Sequence, residues 1–207
     1  IGAAQGLGRP ISNRAVETSI ARQQPTDCFY YTDEGHEFYV IRFHDRPAWC
    51  YDLASGEWHE RAEGANHGPW TAVSTVKSHG KWLCGTDLGG IYEMTRNNAD
   101  ISDELHRRAV SRTLSNDQSL FILDKMEFTG RLGRAVLDRT PRCWIRVSRD
   151  NGLTWGNPKR RSLGDLGQYQ QRVTYRNLGQ FRQATVELNV SDPVDIPINA
   201  TANLGLR

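Results

Sequence analysis

The stretch Trp144-Ile-Arg-Val-Ser-Arg-Asp-Asn-Gly-Leu-Thr-Trp155 writes strand, turn and strand chemistry in consecutive residues. Residues 144–147 alternate bulky and polar side chains, the period of an extended strand with two unlike faces. Asp150-Asn-Gly152 then supplies a side-chain acceptor for loop N–H groups and a residue free to take positive φ. The segment reads as a β-hairpin.

Working outward, the same vocabulary recurs on both sides. On the N-terminal side, strand patterns at 28–31, 37–43, 48–52 and 57–61 are separated by Asp33-Glu-Gly-His36, His44-Asp-Arg-Pro47 and Leu53-Ala-Ser-Gly56. Four short antiparallel strands are the content of one propeller blade, since blades run at about 40 to 50 residues. A looser copy follows at 71–76, 81–84 and 90–94. Residues 95–119 form a polar excursion in which 105–110 reads as either helix or strand. Longer strands are expected at 121–129, 143–148, 159–163, 169–175 and 185–190, and the tail Asp192-Pro-Val-Asp-Ile-Pro197 is held extended by its prolines. One helix is expected, at 11–20, with Ser12 as N-cap and Ile11 and Val16 placed for a hydrophobic staple. Ala15, Val16, Ser19 and Ile20 make its narrow apolar stripe, and Pro25 ends it. The expected fold is all-β, with β-propeller-like antiparallel blades and one short helix near the N-terminus. Its divisions fall at 1–26 (the end of a preceding blade plus the linking helix), 27–95 (blades) and 96–207 (an Arg-rich β region holding the hairpin).

Composition narrows the chemistry. At 207 residues with a formal net charge of +2, the chain can bury a sizeable core. No apolar run reaches membrane-spanning length, so a soluble protein without membrane insertion is expected. A chain beginning at Ile1 reads as a piece of a longer one. The small net charge hides an asymmetry: residues 1–95 carry 8 basic and 12 acidic groups, net −4, whereas 96–182 carry 17 basic and 9 acidic, net +8. Only Lys125 and Lys159 of those basic residues are lysine. Arginine suits planar, bidentate contacts with carboxylate or phosphate, so the region points to a subunit interface or to nucleic acid.

The chain carries no complete catalytic signature. Gly2, Gly6 and Gly8 lack a preceding strand and a full G-x-G-x-x-G, which excludes a dinucleotide loop. Cys28, Cys50, Cys84 and Cys143 are scattered, without a C-x-x-C pair, and read as reduced thiols half buried in strands. The histidines at 36, 44, 59, 67, 79 and 106 show no metal-ligand spacing, so no metal is expected. No G-x-S-x-G elbow is present. Glu57-Trp-His-Glu60 reads as a solvated strand edge. No catalytic, cofactor-binding or metal-binding residue is assigned, and no cofactor is expected.

Two resemblances go beyond this. The spacing Ser148-x-Asp150-x-Gly152-x-Thr154-Trp155 resembles the Asp-box, a turn of sialidase-type β-propellers in which Asp caps loop N–H groups and Trp packs beneath. That resemblance implies a structural turn at Ser148, Asp150, Gly152, Thr154 and Trp155. It leaves open, as an alternative, a glycan-binding or glycan-cleaving propeller drawing on Tyr169, Tyr175, Asp165 and an arginine cluster. The second resemblance rests on phrases that occur in order: Gly35-His-Glu-Phe-Tyr-Val40, Trp49-x-Tyr-Asp52, Gly56-Glu-Trp-His-Glu-Arg61, Gly89-Gly-Ile-Tyr-Glu93, the 148–155 hairpin, Gly164-x-x-Gly-Gln-Tyr169 and Arg176-x-Leu-Gly179. Together they resemble the C-terminal part of the packaged-DNA stabilisation proteins of short-tailed bacteriophages, the tail-hub or nozzle family. The resemblance implies a non-enzymatic virion protein, assembled in the host cytoplasm. It further implies a homo-oligomeric ring, hexameric by preference, that meets portal or adaptor proteins on one side and a tail needle or spike on the other. Duplex DNA would pass through it without sequence-specific binding.

Overall fold

The computed structural model describes residues 10–95, 105–117, 119–133 and 140–194, with the strand segments 198–199 and 205–206. The chain divides into two compact units, Ile1–Arg96 and Asn97–Arg207.

Unit 1 opens with α1, Arg14–Arg22. Its N-cap is Asn13 rather than the expected Ser12: the Asn13 side chain accepts from the Val16 N–H at 3.0 Å, while the Ser12 hydroxyl donates to Glu17 at 2.7 Å. Asn satisfies a first-turn donor as well as Ser does. Moving the cap by one residue takes Ile11 out of staple register, and the staple positions hold the Ser12–Glu17 hydrogen bond instead. Of the expected stripe, Val16 is buried and Ser19 half-buried, whereas Ala15 and Ile20 face solvent.

β1 (Asp27–Asp33), β2 (His36–Arg42), β3 (Ala48–Asp52) and β4 (Glu57–Arg61) form an antiparallel meander in chain order. β5 (Ala72–Ser78), β6 (Lys81–Thr86) and β7 (Ile91–Glu93) form a three-stranded one. Glu34-Gly35 and His79-Gly80 close hairpins with both residues at positive φ, which matches the twist of the flanking strands.

Register sends Phe29, Tyr31, Phe38, Val40 and Cys50 to one face of the first sheet, where they pack with Trp70, Trp82 and Met94 of the segments around the second. The Arg61 guanidinium enters this apolar layer. It lies 5.5 Å from the Tyr31 and Trp70 ring centres and 5.7 Å from that of Phe38. Arg42, almost fully buried, donates to the Trp70 carbonyl at 2.8 Å, to Asp27 at 3.0 Å and to Asp87, tying the two sheets together. The opposite face receives α1, with Val16 against Ile41, Phe43, Trp49 and Trp58.

Unit 2 is built differently. β12 (Lys159–Ser162), β11 (Arg142–Ser148), β14 (Gln183–Val190) and β8 (Arg107–Val110) form one antiparallel sheet, with β9 (Leu114–Ser115) also on β14. β13 (Val173–Phe181), β10 (Phe121–Gly130) and β15 (Ile198–Asn199) form the other, with β16 (Gly205–Leu206) on β10. Leu123, Met126, Phe128, Val173, Tyr175 and Phe181 from one sheet meet Cys143, Ile145, Val186, Leu188 and Val190 from the other in a single core. The Tyr175 hydroxyl reaches Cys143 Sγ at 3.3 Å across the gap.

Among the described residues the architecture is all-β with one helix, and unit 1 consists of antiparallel meanders. The non-sequential strand order of unit 2 is not a meander, and no closed propeller or barrel forms among the described residues. The excursion at 105–110 resolves as strand β8. The strand expected at 169–175 begins instead at Val173 and runs on to Phe181, because 167–171 is occupied by turns. Asn177, at φ +54°, opens a bulge opposite Asp124 rather than ending the strand.

Ile145 is fully buried at the centre of the unit 2 core. Ile145→Ala is expected to cost about 2 to 5 kcal/mol in denaturant unfolding of that unit. A cost under about 1 kcal/mol would place the side chain outside a packed core.

Candidate functional site

The five residues of the expected turn converge. Ser148, the last residue of β11, is buried, and its hydroxyl accepts from the Gly152 N–H at 2.8 Å and the Asp150 N–H at 3.3 Å while donating to Asp150 Oδ1 at 2.7 Å. Asp150 Oδ1 also accepts from the Thr154 N–H at 2.8 Å, and Oδ2 accepts from the Thr154 hydroxyl. Asn151 and Gly152 both hold positive φ, 59° and 90°. A Cβ on Gly152 would stand 3.5 Å from the Trp155 ring, so the ring closes against the turn. Hydrogen bonds from the Thr154 hydroxyl, the Thr154 N–H and Ser148 hold the Asp150 carboxyl down at about 2. The side chains of Ser148, Asp150 and Thr154 are thus bonded to one another within the loop.

On the face of β11 turned away from the core, Arg146 lies between two indoles, 5.2 Å from the Trp144 ring centre and 5.4 Å from that of Trp155. Its guanidinium donates to Glu187 Oε1 at 2.6 and 3.1 Å, and Asn189 donates to the same oxygen. Glu187 is fully buried although it faces outward from the core, as are its neighbours Thr185 and Asn189 nearly so. Thr113 joins the row, facing Thr185 at 3.3 Å and donating to Asn151 at 2.9 Å, so the polar row and the Asp150 turn are one network. Sequence reading passed over Arg146, Glu187 and Asn189. The available signal was Thr185-x-Glu187-x-Asn189 alternating with apolar residues in a strand otherwise destined for the core.

Among the described residues, the residue types a glycosidase would need are not assembled. Tyr175 is fully buried, and burial followed by the Cys143 neighbour pushes its phenol pKa up. Tyr169 is exposed, and Asp165 accepts from Thr140. The open hollow of about 630 Å³ lined by Gly167, Gln168, Tyr169, Gln170 and Gln171 holds no carboxylate, imidazole or thiol.

In unit 1, Asp52 accepts from Ser55 at 2.8 Å and from the Ala54 N–H at 3.0 Å, and pairs with His36 Nδ1 at 2.8 Å. Burial raises its pKa, but these bonds outweigh that and hold it below the ordinary carboxylate range. His59 is not on a solvated edge as expected: it alternates with Trp58 and Glu60 onto the packed face, edge-on to Phe38 at 5.9 Å, and burial lowers its pKa. Cys50, Cys84 and Cys143 are buried, with thiols pushed up by burial, and Cys28 is exposed. No cluster of three metal-ligating side chains occurs among the described residues. No helix among them is long and apolar enough to cross a membrane.

Unit 2 is thus an antiparallel β-sandwich whose buried polar groups serve structure. Residues 106–197 match the family described as bacteriophage P22 Gp10, beta-sandwich. The match spans β8 to β14 of unit 2 and fewer than half of the chain's 207 residues. No curated protein matches the chain.

Asp150 yields a pH test. A carboxylate held at about 2 in the fold, against 3.8 when free, contributes stability that is complete above about pH 4 and is lost as pH falls towards 2. Asp150→Asn is expected to lower the melting midpoint by a few degrees at neutral pH, with the deficit shrinking between pH 4 and 2. Equal midpoints at pH 7 would show that the carboxylate does not hold the turn.

Proposed function

We propose that this chain is a subunit of the nozzle or hub ring in the tail of a short-tailed bacteriophage. The observation that carries the reading is the match of residues 106–197 to the P22 Gp10 β-sandwich. The motif order from Gly35 to Glu93, outside the matched residues, adds to it. In this reading the ring, hexameric by preference, extends the DNA channel below the portal and adaptor, helps retain packaged DNA, and seats the needle or spike that closes the tail. The meanders of unit 1 serve as blades of a propeller-type domain, and the 148–155 turn is an Asp-box used as a structural fastener. Assembly takes place in the host cytoplasm, and the mature location is the virion.

The physical character of the chain suits such a part. A wall around pressurised DNA needs stiffness, to which hydrogen bonds such as those of Asp150 within its turn and of Arg146 to Glu187 contribute. A channel through which a genome slides should bind phosphate weakly, because each neutralised phosphate adds to affinity. The reading therefore has no enzymatic step and no resident cofactor, and the glycan-cleaving alternative has no assembled pocket to support it.

Electron microscopy of particles carrying a tagged copy of the chain tests this directly. A ring of tagged copies around an axial channel below the portal is the expected result. Tag density confined to the capsid shell or to lateral fibres would refute the assignment.

A further inference from the structure

The outward face of the β12-β11-β14-β8 sheet carries more than the network above requires. Register sets Arg160, Trp144, Asn189 and Arg108 side by side on one rung, with Arg142 next on β11. Arg108, Arg142 and Arg160 are exposed and make no ion pair among the described residues. With Arg146, which alone of the four pairs with Glu187, these arginines share the face with two half-buried indoles.

Unit 1 has a face of the opposite character. Register sets Tyr30, Tyr39, Tyr51 and Trp58 on one rung across all four strands of the first sheet. α1 covers the Trp58 end, while Tyr30 is 56% and Tyr39 38% exposed. Glu37 and Glu60 lie on the same face, exposed and without an ion pair among the described residues. The charge balance of the two halves follows suit, net −4 for 1–95 and net +8 for 96–182.

We propose that the arginine-tryptophan face of unit 2 docks the tyrosine-glutamate face of unit 1 of a second copy of this chain. The pairing rests on the ring reading above and names its contact surfaces. Both faces order their groups along rungs at the same strand spacing of about 4.8 Å. Guanidinium groups stack on tyrosine rings and take carboxylates in bidentate pairs, which lysine does less well. Unlike faces meeting in this way give a heterologous contact, and such contacts close into rings when the rotation permits. Opposite charge fixes which face meets which.

Sedimentation velocity of the full chain over a range of concentration and salt tests the pairing. The wild type is expected to self-associate, less so as salt rises. Arg108→Glu/Arg142→Glu/Arg160→Glu and, separately, Glu37→Arg/Glu60→Arg should each weaken association about tenfold or more while keeping the wild-type circular dichroism. Combining the two sets should restore most of it. The pairing is overturned if the folded triple variant associates like wild type, if the combination is no better than its parts, or if wild type stays monomeric at every concentration. Loss of short-duplex DNA binding with unchanged self-association would likewise overturn it, assigning the face to nucleic acid. Tail rings that form with the triple variant would remove this pairing and leave the ring reading standing, whereas tagged wild-type chains found outside any ring would remove both.

Discussion

β14 is buried on both faces, and unit 2 is arranged around that constraint. Its inward residues, Ala184, Val186, Leu188 and Val190, need only apolar company, which β10, β11 and β13 provide. Its outward residues Thr185, Glu187 and Asn189 are as deeply buried and cannot be left unsatisfied, since an unpaired buried carboxylate costs several kcal/mol. Arg146 pairs with Glu187 Oε1 and Thr113 faces Thr185, while Glu187 Oε2 is left without a hydrogen-bond partner among the described residues; the indoles beside Arg146 bring the 148–155 turn alongside this row. The turn is therefore the outer wall of a polar layer, not an isolated loop.

Unit 1 meets the same difficulty with charge placed among rings. Arg61 sits among three aromatic rings, and Arg42 is shared between Asp27, Asp87 and a backbone carbonyl. In both units a guanidinium group adds a side-chain link between neighbouring elements, Arg42 between the two sheets of unit 1 and Arg146 between the paired strands β11 and β14. Part of the arginine content is thus committed to the interior, and charge counting alone overstates what is offered to partners.

Legibility in the sequence followed the range of the interactions. The hairpins at Glu34-Gly35 and His79-Gly80, the turn at Asp150 and most strand positions rest on neighbours a few residues apart, and their turn chemistry is visible directly. The N-cap was misplaced by one residue because Ser12 and Asn13 are both competent caps and only tertiary contact selects between them. The bulge at Asn177 resembled a strand end because positive φ and glycine mark both. The sandwich order of unit 2 was invisible, since it depends on β14 pairing with β8 and β11 rather than with its neighbour in sequence. The Arg146–Glu187 pair was missed for the same reason: it joins positions 41 residues apart.

That strand order also sets a timetable. The meander of β1 to β4 closes through neighbouring strands, whereas β14 must find partners far upstream, as in the Val186 bond to Ser111 across 75 residues. Contacts of long sequence separation form slowly, because the loop entropy is lost before the contact returns anything. During synthesis the first sheet can form as it emerges, while β8 and one edge of β11 wait open until β14 leaves the ribosome, and β10 waits for β13. Crowded expression therefore exposes unit 2 to mispairing between chains, and slower synthesis or lower temperature favours the native sandwich.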